Sequence, residues 1–101
     1  MDKFHIGDIV VDESQRYPHY AVVVDRDEAI SNNESLKDIS FSNGYFYRTP
    51  SGRQYGYDLL SKYTKVSKPQ DEIDRLMNSS DLTPIHKRFG LELQEYLATK
   101  K

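Results

Sequence analysis

Up to residue 66 the apolar residues come in short runs or at every second position; beyond it they recur every three to four residues. The first regime is that of strands, the second that of amphipathic helices. Ile9-Val10-Val11 follows the turn pair Gly7-Asp8, and Tyr20 to Val24 is a β-branched run between Pro18 and the charged stretch Asp25-Arg26-Asp27-Glu28. Both read as strands, and the second, apolar at every position, requires cover on both of its faces. Residues 25 to 38 read as a polar, mobile loop with a single turn around Leu36. Thr49-Pro50-Ser51-Gly52 has Pro at the second turn position and Gly at the fourth, which predicts a hairpin on a type I turn. Pairing Thr49 with Arg53 sets Tyr47 opposite Tyr55 and Tyr45 opposite Tyr57, so all four rings share one face. Asp58-Leu59-Leu60 reads as a turn, and Tyr63 to Val66 as a fifth strand.

The period changes at Ser67-Lys68-Pro69-Gln70, a capping box with Ser67 at the cap and Pro69 in the first turn. Ile73, Leu76 and Met77 make the apolar stripe of the helix that follows, and Asn78-Ser79-Ser80 ends it. Thr83-Pro84 starts a second helix with Ile85, Phe89, Leu93 and Leu97 at a spacing of four, and Gly90 inside it marks close packing on the strands. The expected fold is α+β: a small five-stranded SH3-like antiparallel barrel followed by two C-terminal helices packed on it. It is one domain over 1–101, with a β body at 4–66 and a helical extension at 67–101.

Composition narrows the function classes. A chain of 101 residues holds one core, and 37% hydrophobic with 30% charged residues is the balance of a globular protein, on the polar side at a mean hydropathy of -0.78. The formal net charge is -2, with no basic block, so bulk charge does not drive nucleic-acid binding. The absence of cysteine removes disulfides, thiolate nucleophiles and cysteine metal sites. Together with an N-terminus lacking an apolar signal region, it leads us to expect a cytoplasmic protein. The longest apolar run, Tyr20 to Val24, is far short of the ~20 residues that span a bilayer.

Eight tyrosines are more than a core of this size needs. The four hairpin rings are either the barrel interior or a stacking platform with Arg53 and Lys62 beside it. His5, His19 and His86 have no metal-ligand spacing, and the acidic pairs Asp25/Asp27 and Asp71-Glu72/Asp74 read as solvated surface. There is no Gly-rich phosphate loop and no nucleophile elbow, so neither an enzyme nor a cofactor is expected.

Gly7-Asp8-Ile9-Val10, Arg16-Tyr17-Pro18 and Ala21-Val22-Val23-Val24 resemble the opening of MazF/PemK-like toxin ribonucleases, whose SH3-like barrel begins with such a pair of strands. The resemblance implies RNA cleavage served by Arg16 and Thr49. The chain also resembles, more generally, the small accessory proteins of phages and mobile elements. The leading expectation is a non-enzymatic interaction module, a phage-type regulator or inhibitor that binds a larger host protein, one of the nucleic-acid machinery included, and itself binds nucleic acid weakly or not at all. Its anchors are Arg16, Tyr17, His19 and Tyr20 in the first connection, and Arg48, Arg53 and Tyr55 around the hairpin. The alternatives are a single-stranded nucleic-acid binder or a ribonuclease on the same scaffold, and a homodimer through the last helix.

Overall fold

The computed structural model describes residues 4–14, 17–39, 44–78 and 84–99. Within them the chain is α+β. Strands β1 (Ile9–Asp12), β2 (His19–Val24), β3 (Tyr45–Arg48), β4 (Tyr55–Asp58) and β5 (Thr64–Lys65) form one antiparallel sheet in the order β4-β3-β2-β1-β5. Helices α1 (Arg26–Asn32), α2 (Pro69–Asn78) and α3 (Pro84–Thr99) accompany it. The sheet is open: β4 and β5 are its edges and do not pair, so the closed barrel is corrected to an open sheet.

The unbroken apolar run of β2 is covered on both sides. Tyr20, Val22 and Val24 join Ile9 and Val11 in a core completed by Ala29, Leu36, Ile73, Leu76, Leu93 and Tyr96. Ala21 and Val23 face the other way, into a smaller cluster with Val10, Phe4 and Leu60. Leu60 has φ 53 yet is 2% exposed, so burial of its side chain holds a left-handed backbone that a non-Gly residue otherwise avoids. Asp58 supports the turn by accepting the Leu60 N–H at 3.3 Å.

The hairpin register differs from the expected one by a single residue. Tyr45 pairs with Asp58, Phe46 with Tyr57, Tyr47 with Gly56 and Arg48 with Tyr55. The cause lies in the turn. Thr49 N–H donates to the Gln54 carbonyl at 3.0 Å, and the Thr49 hydroxyl accepts the N–H groups of Arg53 and Gln54 at 3.1 and 3.3 Å. Four residues, Pro50 to Arg53, therefore lie in the loop, with Gly52 at φ 76. A slip of one residue flips one strand relative to the other. Tyr45 and Tyr47 consequently pack on the small cluster, while Tyr55 and Tyr57 pack on the helix side. The four rings do not share a face.

Residues 25 to 38, expected as a mobile loop, are helical. Asp25 caps α1 by accepting the Glu28 N–H at 2.7 Å, and a 3-10 turn, Glu34–Asp38, follows. Ala29 and Leu36 anchor the segment in the main core. In α2 the first intrahelical acceptor is the Lys68 carbonyl, bonded by Glu72 N–H at 3.2 Å, so Ser67 stands one residue ahead of the cap. Gly90 does mark close packing, but on α2 rather than on the strands: a Cβ there would lie 3.0 Å from Met77 Sδ and 3.2 Å from Leu76 Cβ. The apolar face of α3 is spent on the core through Phe89, Leu93, Tyr96 and Leu97, and Tyr96 OH donates to the Gly7 carbonyl at 3.2 Å. No helix among the described residues is long and apolar enough to cross a membrane.

Candidate interaction surface

The β1–β2 connection and the β3–β4 turn lie at the same end of the sheet, because consecutive antiparallel strands return the chain there. Register fixes their relative height: Val22 pairs with Arg48, the last residue of β3 before the turn, and His19 lies three residues beyond that rung toward the same end. The surface at this end is built from those two connections.

Arg48, at the end of β3, is a brace rather than a free anchor. Its Nε lies 3.5 Å from Glu28 Oε2, its Nη1 donates to the Thr49 and Pro50 carbonyls at 3.3 and 3.1 Å, and its guanidinium sits 4.9 Å from the Tyr96 ring centroid. One side chain thus joins β3, the turn, α1 and α3. Tyr55 OH donates to the same Glu28 carboxylate at 3.3 Å, and burial followed by the Glu28 charge pushes its phenol up from the usual tyrosine range. Arg48 and Tyr55 set the hairpin against α1.

Beyond them the turn presents Arg53 and Gln54 to solvent. These two side chains, with Asn32 and Asn33 at the end of α1, line a cleft of about 440 Å³ that also touches Gly52 and Tyr55. Asn33, on the cleft lining, ties the end of α1 to its own turn and to β4. Its N–H donates to the Ala29 carbonyl at 2.8 Å, its Oδ1 accepts from Ser35 Oγ at 2.7 Å, and its Nδ2 donates to the Tyr55 carbonyl at 3.3 Å, capping an edge group of β4.

The first connection is held by both C-terminal helices. Tyr20 OH donates to Glu72 Oε2 at 2.9 Å; Arg75 donates to Glu72 Oε1 at 2.8 Å and pairs with Glu13 at 3.8 Å. Burial pushes the Tyr20 phenol up, and the Glu72 hydrogen bond and charge add to it. The Glu72 hydrogen bond in turn raises Arg75. Tyr17 meets His86 edge-on at 5.5 Å between ring centroids. His19, the first residue of β2, is exposed. Asp12, 5% exposed, accepts from Ser14 N–H and Oγ at 2.9 and 2.6 Å, starting the turn out of β1.

The anchors read from sequence therefore separate. Tyr20, Arg48 and Tyr55 are committed to internal bonds, His19 and Arg53 are exposed, Tyr17 is half-buried, and Arg16 lies outside the described residues. Sequence reasoning missed Glu13, Glu72, Arg75, Asn32 and Asn33. The three-residue spacing of Glu72 and Arg75 was visible, but their meeting with Tyr20 and Glu13 is a tertiary event. Among the described residues no three His, Asp or Glu side chains converge as a metal-ligand set. The chain matches no family model, no curated protein and no solved structure in comparison.

Proposed function

We propose that this chain is a non-enzymatic interaction protein, a phage-type regulator or inhibitor, that applies the hairpin end of its sheet to a larger host protein. What supports the reading is the braced turn: Arg48, Glu28, Tyr55 and the Thr49 hydroxyl fix the backbone that carries Arg53, so its long side chain is offered from a rigid base. Binding from a preorganised surface loses less freedom than binding from a mobile loop. Tyr17, His19 and Arg53 are the contact residues in this reading, with Arg16 beside them in sequence, while Tyr20, Arg48 and Tyr55 act through the fold.

The test is capture of the partner from host lysate before and after nuclease, repeated with Arg53→Ala and His19→Ala. Retention after nuclease, with affinity reduced roughly tenfold in at least one variant at unchanged melting temperature, is expected. Tight, salt-sensitive binding to oligothymidylate with no protein captured would promote the nucleic-acid alternative instead. That alternative relied on four tyrosines sharing a face, which the register divides between two. RNA cleavage abolished by Arg16→Ala, with the fold intact, would replace both readings by the ribonuclease one.

A further inference from the structure

We propose that the cleft between the β3–β4 turn and the end of α1 is a carboxylate-binding subsite, which takes an aspartate or glutamate side chain from an extended segment of the protein partner. The inference rests on the interaction reading above and names the chemistry of one contact within it. The lining is Asn32, Asn33, Gly52, Arg53, Gln54 and Tyr55, so Arg53 is the one charged residue on it. Its guanidinium makes no ion pair among the described residues, whereas the neighbouring Arg48 is engaged by Glu28 and two carbonyls.

The lining of the cleft supplies several hydrogen-bond donors. Arg53 contributes a planar fork of N–H groups and Gln54 an exposed amide, while the carbonyl of Tyr55 is already taken by Asn33 Nδ2. The end of a helix ordinarily repels an anion; in α1 the Ala29 carbonyl, the first of its last four, is occupied, as is the Glu28 carbonyl just before them. Glu28 O accepts from Asn32 Nδ2 at 2.9 Å, and Ala29 O accepts from Asn33 N–H at 2.8 Å. What remains is one cation, carried on a braced turn, with amides around it, a match for a single carboxylate held bidentately. A phosphodiester strand would need several cations in a row, and the lining supplies one.

The probe is acetyl-tetraglutamate amide, titrated into the full chain and followed by heteronuclear NMR on the Arg53 Nε–H and the side-chain amides of Gln54 and Asn32. Saturable shifts at these three groups are expected, with none for the tetraglutamine peptide. Arg53→Gln should weaken binding roughly tenfold or more, and Gln54→Glu, which keeps Arg53 but adds a negative charge like the peptide's own, should do the same. Absence of saturation at millimolar peptide, shifts that persist in both variants, or tighter binding of inorganic phosphate or oligothymidylate would overturn the subsite. If the partner is still captured by the Arg53→Gln protein, the interaction reading stands without the carboxylate contact; loss of the partner in every assay would remove the interaction reading itself.

Discussion

Two residues of the same type, five positions apart, do different work. Arg48 is packed among Glu28, two turn carbonyls and the Tyr96 ring, whereas Arg53 stands in solvent. Arg48→Ala should cost roughly 1–3 kcal/mol in urea unfolding, while Arg53→Ala should stay within about 0.5 kcal/mol. Equal costs would show that the brace does not operate. Gly56 supplies a second residue-level test. It pairs with Tyr47, whose ring lies over it so closely that a Cβ would come within 2.7 Å of the hydroxyl oxygen and 2.8 Å of the ring carbon that bears it. The ring packs against the small cluster, so moving it aside disturbs that packing. Gly56→Ala is expected to destabilise by about 1–3 kcal/mol, although Ala is the better strand residue by propensity. A melting temperature equal to or above that of the parent would show that the ring can move aside.

Among the elements, α1 depends on both its cap and its anchors in the core. Seven residues are far too few for a helix that stands alone, and the segment is tied down by Ala29, Leu36 and the Asp25 side chain. Asp25→Ala should lose about 0.5–2 kcal/mol and raise hydrogen exchange at Glu28 before exchange rises in β2. Uniform loss of protection across the sheet would mean that α1 unfolds only with the whole molecule. The signal for this helix was present in the sequence, since Asp25 and Glu28 stand at capping-box spacing. It was outweighed by the Ser, Asn and Asp residues around it, whose preference for turns is real in isolation and is overridden once Ala29 and Leu36 find a core.

For the molecule as a whole, the C-terminal helices are structural cover, not a separable appendage. Ile73, Leu76, Leu93 and Tyr96 complete the core under β2, so a chain ending at residue 66 uncovers much of Tyr20, Val22 and Val24. Each large side chain so exposed forfeits roughly 1.5–3 kcal/mol, which over three side chains rivals the ~5–15 kcal/mol that holds a domain together. The truncated chain should show no cooperative melt; one that melts at the full-length temperature would refute the dependence. Alkali is a second global probe, because Tyr20, Tyr55 and Tyr63 are all raised, each by burial first. The sign follows from linkage: the unfolded chain ionises its tyrosines near pH 10 while the folded one still holds the protons. Their contribution is therefore intact below about pH 10 and is lost as pH rises from there through the higher folded values. Tyr20→Phe should flatten the fall of melting temperature above about pH 10, and an unchanged slope would show that Tyr20 is no more protected than a free tyrosine.

The sequence by itself determined most of the element list. Period and β-branching placed β1 and β2, turn chemistry placed the β3–β4 hairpin, and Pro69 and Pro84 marked where the two C-terminal helices begin. These are local signals, written within a few residues of the structure they produce. Only the tertiary structure decided how those pieces face one another. The loop length at Pro50 to Arg53 depended on where one Thr49 hydroxyl found its donors, and that single residue of register sorted four tyrosines onto two faces. Whether the sheet closed depended on whether β4 met β5, and which of Arg48 and Arg53 was engaged depended on Glu28, twenty residues from Arg48 in the chain. Contacts between residues that far apart leave no periodic trace in a sequence, because each is fixed by the packing of every element between them.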